Sequence, residues 1–297
     1  MTNDISLGEL LRQGTEIFRN TLVPQPQQTA SLLVRALLKL DLATLIAHPE
    51  RPVAEADAER VRAAFDRRAD GEPAQYIIGV QEFYGLEFKV TPDVLIPRPE
   101  TEFLVEIAVE FCQERNLAAP RILDVGTGSG CIAISIAHAL PQAQVWACDI
   151  SPGALAVARE NALRNGVAER LKFVESDYLS AFLGNASGFS ASDRLDVIVS
   201  NPPYVAEHEL SGLQREVRDF EPVTSLVGGP EGIEGYVNLL ETAPAILAPQ
   251  GIFACEVGFT QAERISQIAQ TLGWTCLKMT DDLQGIPRIL TFKRTEH

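Results

Sequence analysis

Hydrophobic residues recur with a helical period over the first quarter of the chain. Ser6 and Glu9 form a capping-box pattern that predicts the start of a first helix. Apolar positions three and four residues apart predict a second helix after Pro24 and Pro26, and a third over residues 58–68. No catalytic constellation stands out in this part of the sequence. We therefore expect a small helical domain over residues 1–75, which serves either as packing or as a platform for a partner protein.

The pattern changes to alternation over residues 76–99. Residues 76–79 and 83–90 alternate between apolar and polar positions, which predicts a β-hairpin or small sheet. The stretch 95–102 then carries two prolines, Arg98 and two carboxylates, and rigid prolines predict a structured loop. Taken alone, such a segment is more often a linker than the wall of an active site. We expect a hairpin linker over residues 76–99.

Short apolar runs alternate with helical patterns over residues 100–297. Strands and helices of these lengths predict an α/β domain with a doubly wound, mainly parallel sheet. The expected strands cover residues 121–125, 144–150, 171–175, 195–199, 251–257, 274–279 and 288–293. The expected helices cover residues 103–111, 131–140, 152–165, 235–247 and 261–272.

Composition and charge narrow the class of protein. With 46% apolar and 7% aromatic residues, the chain of 297 residues is expected to build a sizeable core. It has 40 acidic and 25 basic side chains, and therefore a net charge of −15. Because proteins that grip a nucleic-acid backbone usually carry a basic face, this balance favours a small-molecule substrate or a basic protein partner.

Cysteine usage and hydropathy set the expected compartment. The five cysteines are odd in number and show no C-x-x-C spacing, so buried reduced thiols are expected. They form no ligand cluster with the four histidines, and we expect no metal site. No signal-peptide pattern opens the chain, and no apolar run approaches the roughly 18 residues of a membrane span. A cytoplasmic protein is expected.

A glycine-rich turn follows the first strand of the α/β region. Gly126, Gly128 and Gly130 stand between strand 121–125 and the next helix, where glycine lets backbone approach a ligand and leaves helix amides available. The spacing is not the G-x-G-x-x-G of the dinucleotide fingerprint. Asp149 ends the following strand, and a carboxylate there can accept both ribose hydroxyls of a nucleoside.

Two further polar residues follow the third strand. Asp177 can accept a hydrogen bond from an adenine amino group, and Tyr178 offers a flat surface for stacking. Simple packing in the core is an equally good interpretation of Tyr178.

The fourth strand ends in Asn201, Pro202, Pro203 and Tyr204. Both Asn201 and Pro202 precede a proline, which keeps them out of the helical region, so the loop is stiff. It presents the Asn201 amide and the Pro202 carbonyl side by side, two acceptors that suit a planar NH2 group, with Tyr204 able to cover its face. An ordinary strand-ending turn is the alternative. The long charged segment 205–233 that follows has the size of a lid or binding loop.

These motifs together resemble a class I S-adenosylmethionine-dependent methyltransferase of the amino-methylating type. The Asn-Pro-Pro-Tyr signature occurs in enzymes that methylate adenine in DNA or a glutamine amide in proteins. From about residue 60 onward the chain resembles the peptide chain release factor N5-glutamine methyltransferase family. That resemblance rests on Arg67-Arg68, Gly71-Glu72-Pro73, Gly79, Glu82-Phe83-Tyr84, Leu86, residues 95–102, Phe220-Glu221-Pro222, Asp282-Leu283 and Arg288.

The resemblance implies a seven-stranded class I methyltransferase sheet and S-adenosyl-L-methionine as the cofactor. Its implied partner is a class I release factor that presents the glutamine of a Gly-Gly-Gln loop, recognised in part by the N-terminal helical domain, without stable nucleic-acid binding. Implied cofactor-binding residues are Gly126, Thr127, Gly128, Ser129, Gly130, Asp149, Asp177, Tyr178 and Asn201. Implied substrate-binding residues are Asn201, Pro202, Pro203 and Tyr204, of which Asn201, Pro202 and Tyr204 are the catalytic ones.

Three alternatives remain open at this level. A related family methylates a glutamine of a ribosomal protein and shares the catalytic motif. A DNA adenine methyltransferase would carry basic residues in its N-terminal region, yet in residues 1–75 the arginines are mixed with many acids. A non-catalytic binding module that keeps the fold is the third.

Overall fold

The computed structural model describes residues 5–184, 189 and 193–295, and the chain divides into two compact units. Unit 1 contains Met1–Val80 and Gln214–Phe220, and unit 2 contains Gln81–Leu213 and Glu221–His297. The α-helices are α1 Leu7–Asn20, α2 Pro26–Leu38, α3 Leu42–Ala47, α4 Glu55–Ala69, α5 Ala74–Ile78, α6 Glu102–Glu114, α7 Cys131–Ala139, α8 Pro152–Arg164, α9 Ser180–Leu183, α10 Arg215–Phe220, α11 Val223–Leu226, α12 Glu234–Thr242 and α13 Ala262–Thr271. The strands are β1 Ile5–Ser6, β2 Pro52–Val53, β3 Val80–Phe83, β4 Leu86–Lys89, β5 Arg121–Val125, β6 Gln144–Asp149, β7 Leu171–Glu175, β8 Leu195–Ser200, β9 Leu247–Glu256, β10 Trp274–Asp281 and β11 Pro287–Arg294.

Unit 1 is a helical bundle built on the expected periodicity. The Ser6 hydroxyl accepts a hydrogen bond from the Glu9 amide at 3.2 Å and caps α1 as its sequence predicts. The fully buried rings of Phe18 and Phe65 meet edge to face at 5.5 Å and join α1 to α4. Packing of apolar helix faces therefore accounts for this unit.

The expectation of a strand over residues 76–79 is wrong. Residues 76–78 lie in helix α5, and Gly79 caps this helix with φ of 85°, a left-handed conformation that glycine adopts without strain. The hairpin consists of β3 and β4 alone, which pair with each other. A four-residue apolar pattern fits either element, and the burial of Ala74 and Ile77 in the core of unit 1 decides for the helix.

The seven-stranded sheet of unit 2 has the order β10-β11-β9-β8-β5-β6-β7. Strands β9, β8, β5, β6 and β7 are parallel, and β11 and β10 are antiparallel to their neighbours. Successive residues of β5 belong to different core clusters, since Ile122 packs with α6 and α7 while Leu123 packs with α12 and α13. Helices thus cover both faces of the sheet, which confirms the doubly wound, mainly parallel fold.

Two neighbouring boundaries in unit 2, the end of α12 and the start of β9, differ clearly from their sequence patterns. Helix α12 ends at Thr242 instead of continuing to residue 247, because Pro244 sits in a short 3-10 turn that follows. Strand β9 then begins at Leu247, earlier than expected, and its pairing with β8 shifts register between Leu195 and Val197. This irregularity lies at the end of the sheet opposite the carboxyl ends of β8 and β9.

No helix in the described ranges is both long and apolar enough to cross a membrane. Cys112, Cys131, Cys148 and Cys255 are buried thiols, and Cys276 is half-buried.

Candidate active site

A cavity of about 280 Å³ lies in unit 2, at the carboxyl ends of β5, β6 and β8. This is the edge of an open α/β sheet where ligands bind. Ten of the residues singled out from the sequence line it, whereas Gly130 and Tyr204 do not. The ten are Gly126, Thr127, Gly128, Ser129, Asp149, Asp177, Tyr178, Asn201, Pro202 and Pro203.

The glycine turn runs from β5 to α7 in a conformation that needs glycine. Gly126 and Gly128 have φ of 73° and 54°, in the left-handed region. A side chain on Gly128 would meet no atom within 4 Å, so the turn presents bare backbone to the cavity. Gly130 lies behind it, where a Cβ would come within 2.8 Å of Ile134 Cδ1 and 3.1 Å of Ala158 Cβ. The absence of a side chain at Gly130 therefore serves close packing.

Asp124 supports the turn from within the protein. Its carboxylate is fully buried and accepts hydrogen bonds from the Thr127 hydroxyl at 2.6 Å and the Ala133 amide at 3.2 Å. Burial raises the pKa of the Asp124 carboxyl to about 7. Asp124 belongs to the sequence motif around the glycine turn, but sequence reasoning assigned it no role in the site, because a carboxylate near the end of a strand gives no sign of which way it faces.

Asp149 connects the end of β6 to the glycine turn. Its Oδ2 accepts from the Gly128 amide at 2.9 Å, and its Oδ1 accepts from the Ser151 amide at 2.9 Å. Burial raises the pKa of this carboxyl despite these hydrogen bonds. Each carboxylate oxygen can accept more than one hydrogen bond, so Asp149 retains acceptor capacity at the cavity.

Asp177 and Tyr178 line the cavity after β7. Asp177 is exposed, and Tyr178 is half-buried with φ of 44°, a left-handed conformation that is uncommon for an aromatic residue. The Ser176 hydroxyl donates to the Tyr178 carbonyl at 2.8 Å and holds this turn. The Tyr178 phenol lies against Gly235, where a Cβ would come within 2.6 Å of its oxygen.

The Asn201 side chain is held by a hydrogen bond to a distant residue. Its Nδ2 donates to the Thr101 hydroxyl at 3.2 Å, and that hydroxyl donates to Oε2 of Glu256 at 2.6 Å. Thr101 and Glu256 are both buried, and burial raises the pKa of the Glu256 carboxyl to about 7. Sequence reasoning singled out neither as a site residue, since no local pattern joins positions 100 or more residues apart.

Tyr204 lies behind the loop instead of at the cavity. Its carbonyl accepts from the Gln261 side-chain amide at 2.9 Å, which fixes the backbone after the two prolines. Burial raises the pKa of the Tyr204 phenol to about 12, so the ring remains neutral at ordinary pH.

Two other segments of unit 2 complete the wall. Residues 95–101, read from sequence as a linker when taken alone, contribute Leu95, Pro97, Arg98 and Thr101 to the cavity. Glu221 holds this segment, because its carboxylate accepts from Arg98 Nη2 at 2.5 Å and from the Ile96 amide at 3.2 Å. From segment 205–233, expected to be a lid or binding loop, the lining residues are Thr224, Ser225 and Val227.

Part of segment 205–233 is fixed to the loop that carries Asn201. Val205 pairs with Val227 in an isolated parallel bridge, and the Val205 amide donates to the Leu226 carbonyl at 2.9 Å. Gly228 passes so close that a Cβ there would lie 2.2 Å from the Pro203 carbonyl oxygen. No group of His, Cys, Asp and Glu able to hold a metal ion occurs in the described part of the chain.

Family comparisons match both parts of the sequence. Residues 9–79 match the family described as PrmC N-terminal domain, and residues 101–217 match the methyltransferase small domain. Among solved structures, a methyltransferase from Pyrococcus furiosus aligns with a TM-score of 0.50 at 21% identity over 71% of this chain and 90% of that one. The hMettl16 catalytic domain in complex with MAT2A 3'UTR hairpin 1 aligns with a TM-score of 0.53 at 16% identity, over 91% of this chain and 92% of that one. At these identities the likeness shows the fold alone.

Curated relatives match at higher identity and over almost the whole chain. The release factor glutamine methyltransferase of Koribacter versatilis is 42% identical over 91% of this chain and 92% of its own length. The relative of the same name from Chlorobaculum tepidum is 43% identical, over 90% of each chain. That of Nitratidesulfovibrio vulgaris is 38% identical over 99% of this chain and 97% of its own. This chain therefore belongs to the release factor glutamine methyltransferase family.

Proposed function

We propose that this protein transfers a methyl group from S-adenosyl-L-methionine to the side-chain amide nitrogen of a glutamine in a class I peptide chain release factor. One observation carries the proposal: a single cavity holds both a bare glycine turn and the Asn201–Pro203 loop, whose acceptors suit a planar NH2 group. The names of the relatives that match almost the whole chain support the choice of a release factor.

The residues around the glycine turn fit an adenosyl cofactor. The turn offers backbone where Gly128 leaves open space, and Asp149 beside it has acceptor capacity for the ribose hydroxyls. Asp177 and Tyr178 line the same cavity and suit the amino group and the face of an adenine ring. When bound, the cofactor supplies an electrophilic methyl group on a sulfonium. In this proposal the remaining contacts come from Gly126, Thr127, Ser129 and Asn201, while Gly130 supports the turn from behind.

Asn201 and Pro202 act on the glutamine amide. An amide nitrogen is a poor nucleophile because its lone pair is delocalised into the carbonyl. Asn201 Oδ1 and the Pro202 carbonyl accept hydrogen bonds from its two N–H groups, which turns the nitrogen toward the methyl group. After the new N–C bond forms, the nitrogen carries a positive charge and loses one of its two protons to water. Such positioning lowers a barrier by roughly 7–11 kcal/mol at its upper reach. Pro203 keeps the loop stiff, and Tyr204 supports it with a neutral ring and an anchored carbonyl.

The helical part of the chain, residues 1–75, is proposed to recognise the protein substrate, while residues 76–99 connect it to the methyltransferase domain of residues 100–297. The net charge of −15 supports a protein partner over a nucleic-acid backbone.

Mass spectrometry tests the proposal directly. The purified protein, incubated with S-adenosyl-L-methionine and a class I release factor, should add one methyl group to the glutamine of the Gly-Gly-Gln loop. A release factor with that glutamine replaced by alanine is the control and should remain unmodified. Methylation of a ribosomal-protein glutamine at a higher kcat/KM would reassign the substrate. N6-methyladenine formed in duplex DNA at a comparable rate would overturn the proposal.

A further inference from the structure

The side-chain amide of Asn201 carries an oxygen and a nitrogen of nearly the same size and opposite hydrogen-bonding character. Its oxygen accepts hydrogen bonds and its nitrogen donates them, so a rotation by half a turn exchanges an acceptor for a donor at the cavity. Binding an NH2 group requires the oxygen there. The contact that decides the orientation is the hydrogen bond from Asn201 Nδ2 to the Thr101 hydroxyl at 3.2 Å.

Thr101 alone does not determine the orientation of the Asn201 amide, because a hydroxyl both donates and accepts hydrogen bonds. Glu256 removes the ambiguity. Its ionised carboxylate only accepts, and it accepts a hydrogen bond from the Thr101 hydroxyl at 2.6 Å, which leaves a lone pair of the Thr101 oxygen for Asn201. Glu256 ends β9 and Asn201 follows β8, and these neighbouring parallel strands pair Ser200 with Cys255.

We propose that Glu256 and Thr101 are positioning residues that orient the Asn201 amide with its oxygen toward the substrate. The proposal rests on the proposed function for its consequence in catalysis. Its geometry consists of one chain of two hydrogen bonds. Asn201 donates to Thr101 and Thr101 donates to Glu256, and with Glu256 ionised each bond has only this direction. Thr101 and Glu256 are 2% and 3% exposed, so water does not compete for these contacts.

Protonation of Glu256 removes this order. A neutral carboxyl can donate to Thr101, whose hydroxyl can then donate to Asn201 Oδ1 and stabilise the reversed amide. Burial raises the pKa of Glu256 to about 7, so its protonation occurs in a pH range in which the enzyme can be assayed. Besides its strand neighbour Cys255, the titratable and charged groups that face Glu256 are Glu100, Arg98, Arg288, Tyr204, Tyr236 and Cys131.

A double-mutant cycle separates orientation from mere support of the fold. Thr101→Val removes the hydroxyl at constant shape, and we expect kcat to fall about tenfold, the loss expected of one hydrogen bond. Thr101→Ser keeps the hydroxyl and should stay within about twofold of wild type. In an Asn201→Ala background nothing is left to orient, so Thr101→Val should then cost less than about twofold. Equal losses in both backgrounds would show a structural role and overturn the proposal.

The pH profile gives a second readout. Wild-type kcat should fall on the acid side with an apparent pKa near 7, and Glu256→Gln, which cannot ionise, should lack this limb. A limb that persists in Glu256→Gln, or a wild-type profile without one, contradicts the role of Glu256.

A measurement without substrate keeps this inference separate from the proposed function. The Asn201 side-chain NH2 signals, in protein labelled with 15N-asparagine and assigned by their loss in Asn201→Ala, report the hydrogen bond directly. They should shift with pH near 7 in wild type and remain constant in Glu256→Gln. Signals that titrate identically in both proteins would sink the inference, even if glutamine methylation is observed. Absence of methylation with the expected titration would instead count against the proposed function alone.

Discussion

At the scale of single residues, the site depends on where hydrogen-bond donors and acceptors are left over. Asp149 accepts hydrogen bonds from two backbone amides and retains further lone pairs. Asn201 donates a hydrogen bond to Thr101 through its nitrogen, which leaves its oxygen for another group. Both side chains are held by partners that the fold supplies. Substitutions at these two positions should therefore separate cofactor binding from turnover.

Asn201→Ala should lower kcat by roughly 10²-fold or more, because one acceptor for the glutamine amide is lost in the transition state. Cofactor affinity should fall much less than kcat, since Asn201 supplies only one of the cofactor contacts and the glycine turn and Asp149 remain. Asn201→Asp keeps an acceptor at nearly the same place and should retain more activity than the alanine variant, although it cannot donate to Thr101. Single-turnover methylation of a release factor measures both. Wild-type rates in both variants would reduce Asn201 to a turn residue.

Asp149→Ala should weaken S-adenosyl-L-methionine binding by about 1.5–3 kcal/mol, the value of hydrogen bonds to a charged group. Isothermal titration calorimetry gives the affinity. Thermal unfolding serves as the control, because the Gly128 and Ser151 amides also lose their acceptor. Unchanged affinity in a folded variant would exclude Asp149 from the cofactor site.

At the scale of elements, the loop after β8 is stiff because other segments press against it. Gly228 approaches the Pro203 carbonyl, and Gly232 approaches the Tyr204 carbonyl so closely that a Cβ would lie 2.4 Å from its oxygen. The Gln261 side chain donates to the same Tyr204 carbonyl and to the Gly232 carbonyl. The catalytic loop is thus packed against residues 226–232 and Gln261 of the same unit.

Gly228→Ala should displace this loop, because the new Cβ has no space beside the Pro203 carbonyl. We expect kcat to fall roughly tenfold to hundredfold, as small misplacements of positioning groups do. Gly212→Ala is a matched control in the same segment, where a Cβ meets no atom within 4 Å. Steady-state kinetics give kcat for both variants, and only Gly228→Ala should be impaired. Equal activity would show that the loop adjusts without cost.

At the scale of the whole molecule, burial of carboxyl groups links stability to pH. Asp124 and Glu256 are buried, and burial raises the pKa of each to about 7. A carboxyl whose pKa is raised in the folded state binds its proton more tightly there than in the unfolded chain. Its contribution to stability is therefore complete below the ordinary pKa and is lost as pH rises through the folded value.

Asp124→Asn should remove one such contribution. The free energy of unfolding of wild type, relative to the variant, should decrease between about pH 4 and about pH 7 and level off above. Urea denaturation of both proteins at several pH values measures this difference, and the subtraction cancels the other carboxyl groups. A difference that stays constant or grows with pH would contradict the raised pKa of Asp124.

The sequence by itself determined the features that depend on neighbouring residues. Three features of the site can be read from neighbouring residues: the glycine turn, the two prolines after Asn201 and Asp149 at the end of its strand. Each depends on a backbone angle or a strand end, which a few consecutive residues determine. The order of strands and helices followed from apolar periodicity in the same way. The short pattern at 76–79 failed because its length is compatible with a helix, and only packing in unit 1 decided it.

Tertiary structure decided which groups meet. Thr101, Asn201 and Glu256 lie in three distant parts of the chain, and strand pairing together with the turn before α6 brings them into one hydrogen-bonded chain. Thr224 and Ser225 line the cavity next to Val227, which pairs with the distant Val205 after the catalytic loop. Burial, and with it the raised pKa of Asp124 and Glu256, arises from the packed core, since desolvation depends on the surrounding atoms and not on sequence neighbours.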